Sequence, residues 1–285
     1  MLKKEIRYKL MEAFHILRKK KYINDFEVFV MVLSALEWKK YNGKIKLVTD
    51  KKGLSFIQQH GIENIWDKIE LCLDELDKLP INEKVFWAGA KIFALSKQKA
   101  PCVMIDLDFI VWQKLDFTKY ENELAVIHRE NVNNSVYPQQ DYFKVNKFNF
   151  NEKWDWSLLA CNTAFAFFGN EELRQYYCKK ALDFMLDVDI KEDFLCYMVF
   201  AEQRLLAMCA DELGCKVNSF SQLYNLFDTK QTTFTHVWGM KGHLQENAQM
   251  NRDFCKKCLY RIQKDFPQWA RYLSNFEWFN KYFRM

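Results

Sequence analysis

The chain has 285 residues, of which 49% are hydrophobic and 16% aromatic, which is enough for one large α/β domain or two small ones with a sizeable core. It contains only 8 Gly and 4 Pro, which argues against disorder and against a turn-rich all-β protein. The net charge of +5 comes from 42 basic and 37 acidic residues, and such a mixture does not predict a nucleic-acid partner.

The nine cysteines are scattered through mostly apolar runs, which predicts a reduced, cytoplasmic protein with small buried thiols. The closest pair is Cys255 and Cys258, and neither a second pair nor a nearby His completes a zinc site. We interpret this pair as two thiols on a helix. We see no signal peptide, and the apolar run at 28–36 is too short to span a bilayer.

The N-terminal segment, residues 1–25, is rich in basic side chains. Between residues 3 and 21, eight basic residues stand against two acidic ones, and the apolar residues recur at helical spacing. We therefore predict a basic amphipathic helix. Such a helix can lie on an anionic membrane or can simply expose a solvated charged face, and both roles stay open.

Further along, helices and strands alternate. In the first part of the chain we predict a helix at 26–41 that ends at Asn42-Gly43, a strand at 44–49, a helix at 53–60 and a strand at 69–73. A helix at 83–99, which Ala100-Pro101 ends, and a strand at 102–106 follow. After an irregular stretch to about 156, we predict a strand at 163–168, helices at 170–186 and 192–213, a strand at 233–237, and a helical tail from 243. This alternation predicts a mostly parallel sheet with helices on both faces.

The motif that carries chemistry most clearly is an apolar run that ends in Asp106 and Asp108. Side chains at positions i and i+2 of an extended chain share a face, so the two carboxylates can converge. The carboxyl end of a parallel strand is where such sheets bind ligands, and two carboxylates there suit a divalent cation that bridges phosphate oxygens. The alternative, two solvated acids at a strand end, is costly among such apolar neighbours.

A second candidate motif lies near the end of the last predicted strand. His236 can serve as a third metal ligand beside carboxylates, although the alternative is a hydrogen-bonded structural histidine. Gly239 permits close approach of the backbone to a phosphate, and Lys241 supplies a point charge for a leaving diphosphate.

In their order along the chain, these motifs resemble those of GT-A glycosyltransferases, especially the glycogenin and lipopolysaccharide-galactosyltransferase-like family. Residues 26–49 look like its first helix and second strand, and 102–111 look like its strand with the Asp-x-Asp motif. Residues 161–164 resemble its Asn-Ser-Gly segment. Residues 202–206, with Glu for Asp, resemble its Asp-Gln-x-Leu-Leu/Asn motif, and 236–241, with Lys one residue early, resemble its His-x-x-Gly-x-x-Lys motif. These departures suggest a divergent relative, of the bacterial surface-polysaccharide type.

The resemblance implies a metal-dependent transferase with a GT-A-like α/β fold over residues 26–242 and a helical C-terminal extension, 243–285, packed on the same domain. The implied ligands of Mn²⁺ or Mg²⁺ are Asp106, Asp108 and His236. The implied contacts to a nucleoside diphosphate sugar, with UDP favoured, are Thr49, Lys91 (106 − 91 = 15 residues before the first acid), Gly239 and Lys241. The implied residues around the reacting sugar are Asn162, Glu202 and Gln203.

Three questions remain open at this stage. The family's first strand would precede Phe26, and residues 13–17 are the only candidate, although we interpret them as helix. The acidic pair also suits a haloacid-dehalogenase-like phosphatase with Asp106 as nucleophile and Asp108 as acid/base, although that motif normally opens its domain. The altered motifs also leave a non-catalytic, degenerate nucleotide-binding protein as an alternative.

Basic and aromatic residues also alternate through residues 252–285. Such a pattern suits a membrane interface, which would bring a peripheral enzyme to a glycan or lipid-linked acceptor at the inner membrane. The alternative, which we favour, is that the aromatic residues pack the C-terminal helices onto the catalytic domain.

Overall fold

A computed structural model describes residues 11–18, 22–191, 194–228 and 230–283. Its strands are β1 (Ala13–Leu17), β2 (Ile45–Thr49), β3 (Lys68–Leu71), β4 (Cys102–Ile105), β5 (Phe109–Val111), β6 (Leu124–Glu130), β7 (Lys144–Val145), β8 (Ala160–Phe168), β9 (Val188–Asp189), β10 (Val217–Ser219) and β11 (Phe234–His236). Its α-helices are α1 (Asp25–Tyr41), α2 (Lys51–Gln59), α3 (Gly89–Ser96), α4 (Glu171–Asp187), α5 (Phe194–Val199), α6 (Leu205–Glu212), α7 (Leu223–Leu226), α8 (Lys241–Glu246), α9 (Ala248–Asp265), α10 (Pro267–Leu273) and α11 (Glu277–Asn280).

One seven-stranded sheet organises these elements. Its strand order is β10-β6-β8-β4-β1-β2-β3, and only β8 runs antiparallel to its neighbours. Two short antiparallel pairs, β5 with β11 and β7 with β9, lie outside this sheet. The predicted α/β fold class, a mixed and mostly parallel sheet flanked by helices and followed by a helical C-terminal tail, is confirmed.

The helix predicted across residues 3–21 is wrong where it can be compared. Ala13–Leu17 is strand β1, and it pairs in parallel with β2 on one side and β4 on the other. A central strand of a parallel sheet is buried on both faces, so it has a nearly continuous apolar run and lacks the alternation that marks a half-exposed strand. Residues 1–10 and 19–21 of the predicted helix lie outside the described residues.

Three other predicted elements differ from the structure. The stretch expected to be irregular contains β6, whose buried run joins the sheet between β10 and β8. The helix predicted at 83–99 is confined to α3, because residues before it form turns whose side chains, including Val85 and Phe86, pack into the core. The helix predicted at 192–213 contains a π-helical turn at Phe200–Arg204, between α5 and α6.

Helices cover both faces of the sheet, and each face has its own apolar core. On one face lie α1, α9, α10 and α11, with buried residues such as Phe29 and Ile262. On the other lie α3, α4, α5 and α6, with residues such as Phe93 and Phe184. Helix α1 is buried on nearly all sides, since it lies between the sheet and α9.

The aromatic residues of the C-terminal helices pack largely inward. The rings of Trp278, Phe279 and Tyr282 surround Phe29 of α1 with centroid distances of 5.1–5.5 Å. The Trp278 indole also donates a hydrogen bond to the His60 carbonyl over 3.0 Å. These contacts support the packing role expected for this segment, whereas its contact with a membrane stays a prediction.

Two further features of the described chain bear on the sequence-based expectations. Cys255 and Cys258 are buried thiols on α9, as predicted. No helix among the described residues is both long and apolar enough to cross a bilayer.

Gly61 provides a test of the contact between the C-terminal helices and the rest of the fold. It has φ +65°, and a Cβ added there would lie 1.8 Å from Cζ of Phe276. We expect Gly61→Ala to lower the free energy of unfolding by about 2–4 kcal/mol, because strained backbone and a ring clash add together. The matched control is Gly214→Ala, with φ +61° but open space around the added carbon. Urea unfolding should show a clearly smaller loss for Gly214→Ala, and equal losses would contradict the role of the Phe276 contact.

Candidate functional site

Polar residues from several strands meet at one edge of the sheet. The parallel strands β4 and β6 end there, which places Asp106 and Asp108 just after β4 and Glu130 at the end of β6. Because β8 runs in the opposite direction, Asn162 and Thr163, near its beginning, reach the same edge. The carboxyl ends of parallel strands are the usual ligand-binding edge of such sheets.

Residues 106–108 form a tight turn, which we call the acidic turn. The Phe109 amide closes this turn by donating to the Asp106 carbonyl over 3.0 Å, and Phe109 opens β5. In the antiparallel pair β5–β11, Phe109 lies opposite His236. As a result, one ligand atom each from Asp106, Asp108 and His236 lies within 4.8 Å of the other two. Two carboxylate oxygens and an imidazole nitrogen so placed suit a divalent cation such as Mn²⁺.

Two lysines compensate the charge of the acidic turn. Lys91 of α3 lies 2.8 Å from Asp106 Oδ1, and Lys241, the first residue of α8, lies 2.9 Å from Asp108 Oδ2. Burial raises the pKa of Asp106 to about 6, even against the charge of Lys91. Burial also opposes ionisation of Asp108, but Lys241 and His236 together hold its pKa below the usual range. Asp108 therefore loses its proton at a lower pH than Asp106 does.

The ring of His236 is in the form that binds metals. Burial lowers its pKa to about 4, which outweighs the attraction of Asp108. At neutral pH the imidazole is therefore uncharged, and a ring nitrogen can donate its lone pair to a cation. Nε2 lies 3.7 Å from Asp108 Oδ2, so the ring already faces the acidic turn.

Glu202 lies beside the acidic turn through a shared lysine. Lys91 Nζ lies 2.6 Å from Glu202 Oε1 as well as beside Asp106, so it bridges the two carboxylates. The Thr163 hydroxyl donates to the same Glu202 oxygen over 2.6 Å. Glu202 belongs to the π-helical turn, and such turns are frequent at functional sites.

A second network of hydrogen bonds includes Gln203, the residue after Glu202. Glu130 accepts from the Asn162 amide over 2.9 Å with one carboxylate oxygen and lies 3.0 Å from the Tyr137 hydroxyl with the other. The Tyr137 hydroxyl also lies 2.6 Å from Gln203 Oε1. The loop that carries Tyr137 is fixed by Arg204, whose guanidinium donates to the Tyr137 carbonyl over 2.7 Å. Asn162 and Gln203 are thus held in one network.

The structure brings most of the predicted site residues together, and Thr49 ends β2, which β1 separates from β4 in the sheet. Thr49 is fully buried, and its hydroxyl donates to the Leu17 carbonyl over 2.7 Å, so its side chain has a structural role. Lys91 bridges Asp106 and Glu202, and its contact with a nucleotide stays a prediction. Gly239 is exposed, with open space where a side chain would stand.

The site also contains Glu130, Tyr137 and Thr163, which are not among the residues predicted from the sequence. Glu130 ends a strand that we did not predict, and recognition of the buried run before it would have placed a carboxylate at the ligand-binding edge. Thr163 lies within the segment that resembles the family's Asn-Ser-Gly motif. No local pattern marks Tyr137, because its partners are seven and 66 residues away.

Replacement of Lys91 should reveal the cost of placing several carboxylates together. We expect Lys91→Met to lower the free energy of unfolding by about 3 kcal/mol, because Asp106 and Glu202 lose a shared counter-charge in a partly buried place. The matched control is Lys97→Met, which breaks a solvent-exposed pair with Glu75 and should lower the free energy of unfolding much less. Urea unfolding at pH 7.5 measures both variants. Similar small losses would show that Lys91 does not balance the buried acids.

Comparison with solved structures finds matches at low sequence identity. A structure described as PaToxG glycosyltransferase is 13% identical with a TM-score of 0.44, over 71% of this chain and 69% of that one. Mouse xyloside xylosyltransferase 1 is 11% identical with a TM-score of 0.42, over 74% of this chain and 85% of that one. An active-site mutant of LgtC is 12% identical with a TM-score of 0.37, over 67% of this chain and 69% of that one.

Comparison with curated proteins finds no match. One family model does match, and it spans residues 21–275, which include the acidic turn, Glu202 and His236. Since this match covers most of the chain, the protein belongs to the family described as "Family of unknown function (DUF6734)".

Proposed function

We propose that this protein is a metal-dependent GT-A glycosyltransferase that moves a sugar from a nucleoside diphosphate sugar, with UDP favoured, to an acceptor hydroxyl. The observation that carries the proposal is the group formed by Asp106, Asp108 and His236, whose ligand atoms lie within 4.8 Å of one another at the ligand-binding edge. Residues from four separate motifs, whose order resembles that of the family, lie at or beside this edge. A glycan or lipid-linked acceptor, bacterial surface-polysaccharide synthesis and peripheral contact with the inner membrane are further parts of the hypothesis.

The residues of the acidic turn suit a diphosphate leaving group. Asp106, Asp108 and His236 would hold Mn²⁺ or Mg²⁺, which when bound neutralises charge on phosphate oxygens. Lys241, beside Asp108, adds a second positive charge. It would stabilise the negative charge that develops on the diphosphate as the sugar departs. Gly239, two residues earlier, leaves the backbone open to a phosphate.

Glu202 is our candidate for the carboxylate near the reacting carbon. Its Oε1 atom is fixed by Lys91 and by the Thr163 hydroxyl, so its position is set before any ligand binds. A fixed carboxylate can stabilise an oxocarbenium-like transition state or orient the acceptor hydroxyl. Asn162 and Gln203, which are tied to Glu130 and Tyr137, would position sugar hydroxyls.

The decisive experiment incubates the protein with a panel of UDP-sugars and Mn²⁺ and measures the release of UDP. Release that depends on the donor supports the proposal. Hydrolysis of p-nitrophenyl phosphate without any sugar donor would instead favour the phosphatase alternative. Binding of UDP without turnover of any donor would favour a non-catalytic nucleotide-binding protein.

The metal dependence of nucleotide binding can be measured by thermal shift. We expect UDP to raise Tm by roughly 5 °C at a hundredfold excess over Kd, and only with Mn²⁺ present. Asp108→Asn should remove this shift, because the amide keeps the shape but loses the charge that holds the cation. Asp116→Asn, the same change at an exposed carboxylate bonded to Thr118, is the control and should keep the full shift. An equal shift in excess chelator would contradict a bridging metal.

A change at Glu202 should separate chemistry from binding. We expect Glu202→Gln to lower kcat for UDP-sugar hydrolysis at least tenfold with little change in donor Kd, because a group that acts mainly in the transition state affects kcat. Glu212→Gln is the control. Glu212 lies further along the same helical segment, at the end of α6, and it accepts hydrogen bonds from Trp154 and Tyr176. Loss of donor affinity at unchanged kcat would assign Glu202 to ground-state binding.

A further inference from the structure

A chain of buried hydrogen bonds runs through the core to the residue that follows the acidic turn. The Trp66 indole donates to His15 Nδ1 over 3.1 Å, and His15 Nε2 lies 3.0 Å from Ser34 Oγ. Ser34 Oγ in turn donates to the Phe109 carbonyl over 2.5 Å. His15 and Phe109 have no exposed surface, and Ser34 has 1%. The chain thus joins β1 and α1 to the start of β5.

The direction of every donor in this chain is fixed by its first member. An indole N–H can only donate, so His15 Nδ1 must present a lone pair. A neutral ring then carries its proton on Nε2 and donates it to Ser34. The Ser34 hydroxyl, whose oxygen accepts that bond, turns its own hydrogen to the Phe109 carbonyl. Burial lowers the pKa of His15 to about 3, which agrees with a neutral ring.

Phe109 is held on three sides. Its amide donates to the Asp106 carbonyl over 3.0 Å, and its carbonyl accepts from Ser34. Its ring centroid lies 5.4 Å from that of His236, which is its opposite residue in the β5–β11 pair. A rotation of the Phe109 peptide would therefore displace both the acidic turn and the strand that carries the third candidate ligand.

Burial of the polar groups in this chain of hydrogen bonds lowers the stability of the fold unless each group finds a partner. They lie in an interface that is otherwise apolar, where burial of a polar group is unfavourable unless its hydrogen bonds are complete. Apolar side chains could fill the same space between the sheet and α1 without that requirement. Here the side chains of Trp66, His15 and Ser34 are instead joined by hydrogen bonds, and Ser34 donates to the main-chain carbonyl of Phe109.

We propose that Ser34 and His15 are positioning residues that hold the Phe109 carbonyl and so fix the orientation of the acidic turn for a divalent cation. The proposal rests on the proposed function, because it assigns these residues to the same candidate metal site. Groups that orient metal ligands without touching the metal commonly change metal affinity by roughly 10–100-fold when they are removed. Ser34 lies within the stretch 26–49 that resembles the family's first helix and second strand, but neither residue is among those to which the resemblance gives a role in the site.

The test measures Mn²⁺ affinity of the full chain without nucleotide, by loss of the electron paramagnetic resonance signal of free Mn²⁺. We expect Ser34→Ala to weaken binding about tenfold or more, because the Phe109 carbonyl loses its anchor. Ser34→Thr keeps a hydroxyl and should retain most of the affinity. Val32→Ala is the matched control: it removes buried atoms from the same helix and should lower stability without changing Mn²⁺ affinity.

A second variant acts at the other end of the chain and serves if Ser34→Ala does not fold. Trp66→Phe removes the donor that fixes the His15 tautomer, so the ring proton becomes free to move to Nδ1. Ser34 would then turn its hydrogen to Nε2 and release the Phe109 carbonyl. Nitrogen-15 chemical shifts should show the Nε2–H tautomer in the wild type and a mixture in Trp66→Phe, together with weaker Mn²⁺ binding.

The outcomes separate this inference from the proposed function. Wild-type Mn²⁺ affinity in Ser34→Ala, with a loss of stability like that of Val32→Ala, would overturn it and leave only a structural role. A changed tautomer with unchanged affinity in Trp66→Phe would also overturn it. Absence of Mn²⁺ binding by the wild type would remove this inference together with the candidate metal site. Normal Mn²⁺ effects without turnover of any UDP-sugar would remove the proposed function alone.

Discussion

Mutual repulsion among Asp106, Asp108 and Glu202 is the constraint on which the arrangement of this site depends. Three carboxylates at one edge of a sheet are unfavourable unless positive charge lies among them. Lys91 bridges Asp106 and Glu202, and Lys241 pairs with Asp108. Each lysine comes from a different element, so charge compensation also ties α3 and α8 to the acidic turn. A divalent cation would add to this compensation at the point where the carboxylates and His236 converge.

Strand direction decides which residues can take part. The acidic turn follows β4, and Glu130 ends β6, because both strands run towards the same edge. The single reversed strand, β8, delivers residues from its beginning instead of its end. The π-helical turn between α5 and α6 then places Glu202 opposite Lys91 and Gln203 opposite Tyr137. The site thus joins segments that are far apart in sequence, such as Lys91 and Glu202, which are 111 residues apart.

The core on the α1 face of the sheet contacts the residue that follows the acidic turn. Helix α1 is buried between the sheet and the C-terminal helices, and its Ser34 reaches the carbonyl that follows the acidic turn. The aromatic residues of the C-terminal helices pack around Phe29 of the same helix. The candidate site and the C-terminal helices therefore share one structural element, although they lie in different parts of the sequence.

The α/β class, most of the helices and the acidic pair could be predicted from the amino-acid sequence, because helical periodicity, buried runs and residues two apart on a strand are local properties. The sequence also pointed to His236 and Lys241 through their spacing. It failed for β1, since a strand buried on both faces lacks alternation, and for β6, whose carboxyl end carries Glu130. The packing of distant segments was needed to show that Lys91 bridges two carboxylates, that Thr49 is buried, and that His15 and Ser34 are hydrogen-bonded towards Phe109, which follows the acidic turn. Those relations depend on which strands become neighbours in the sheet, and local sequence patterns carry no information about pairing between distant segments.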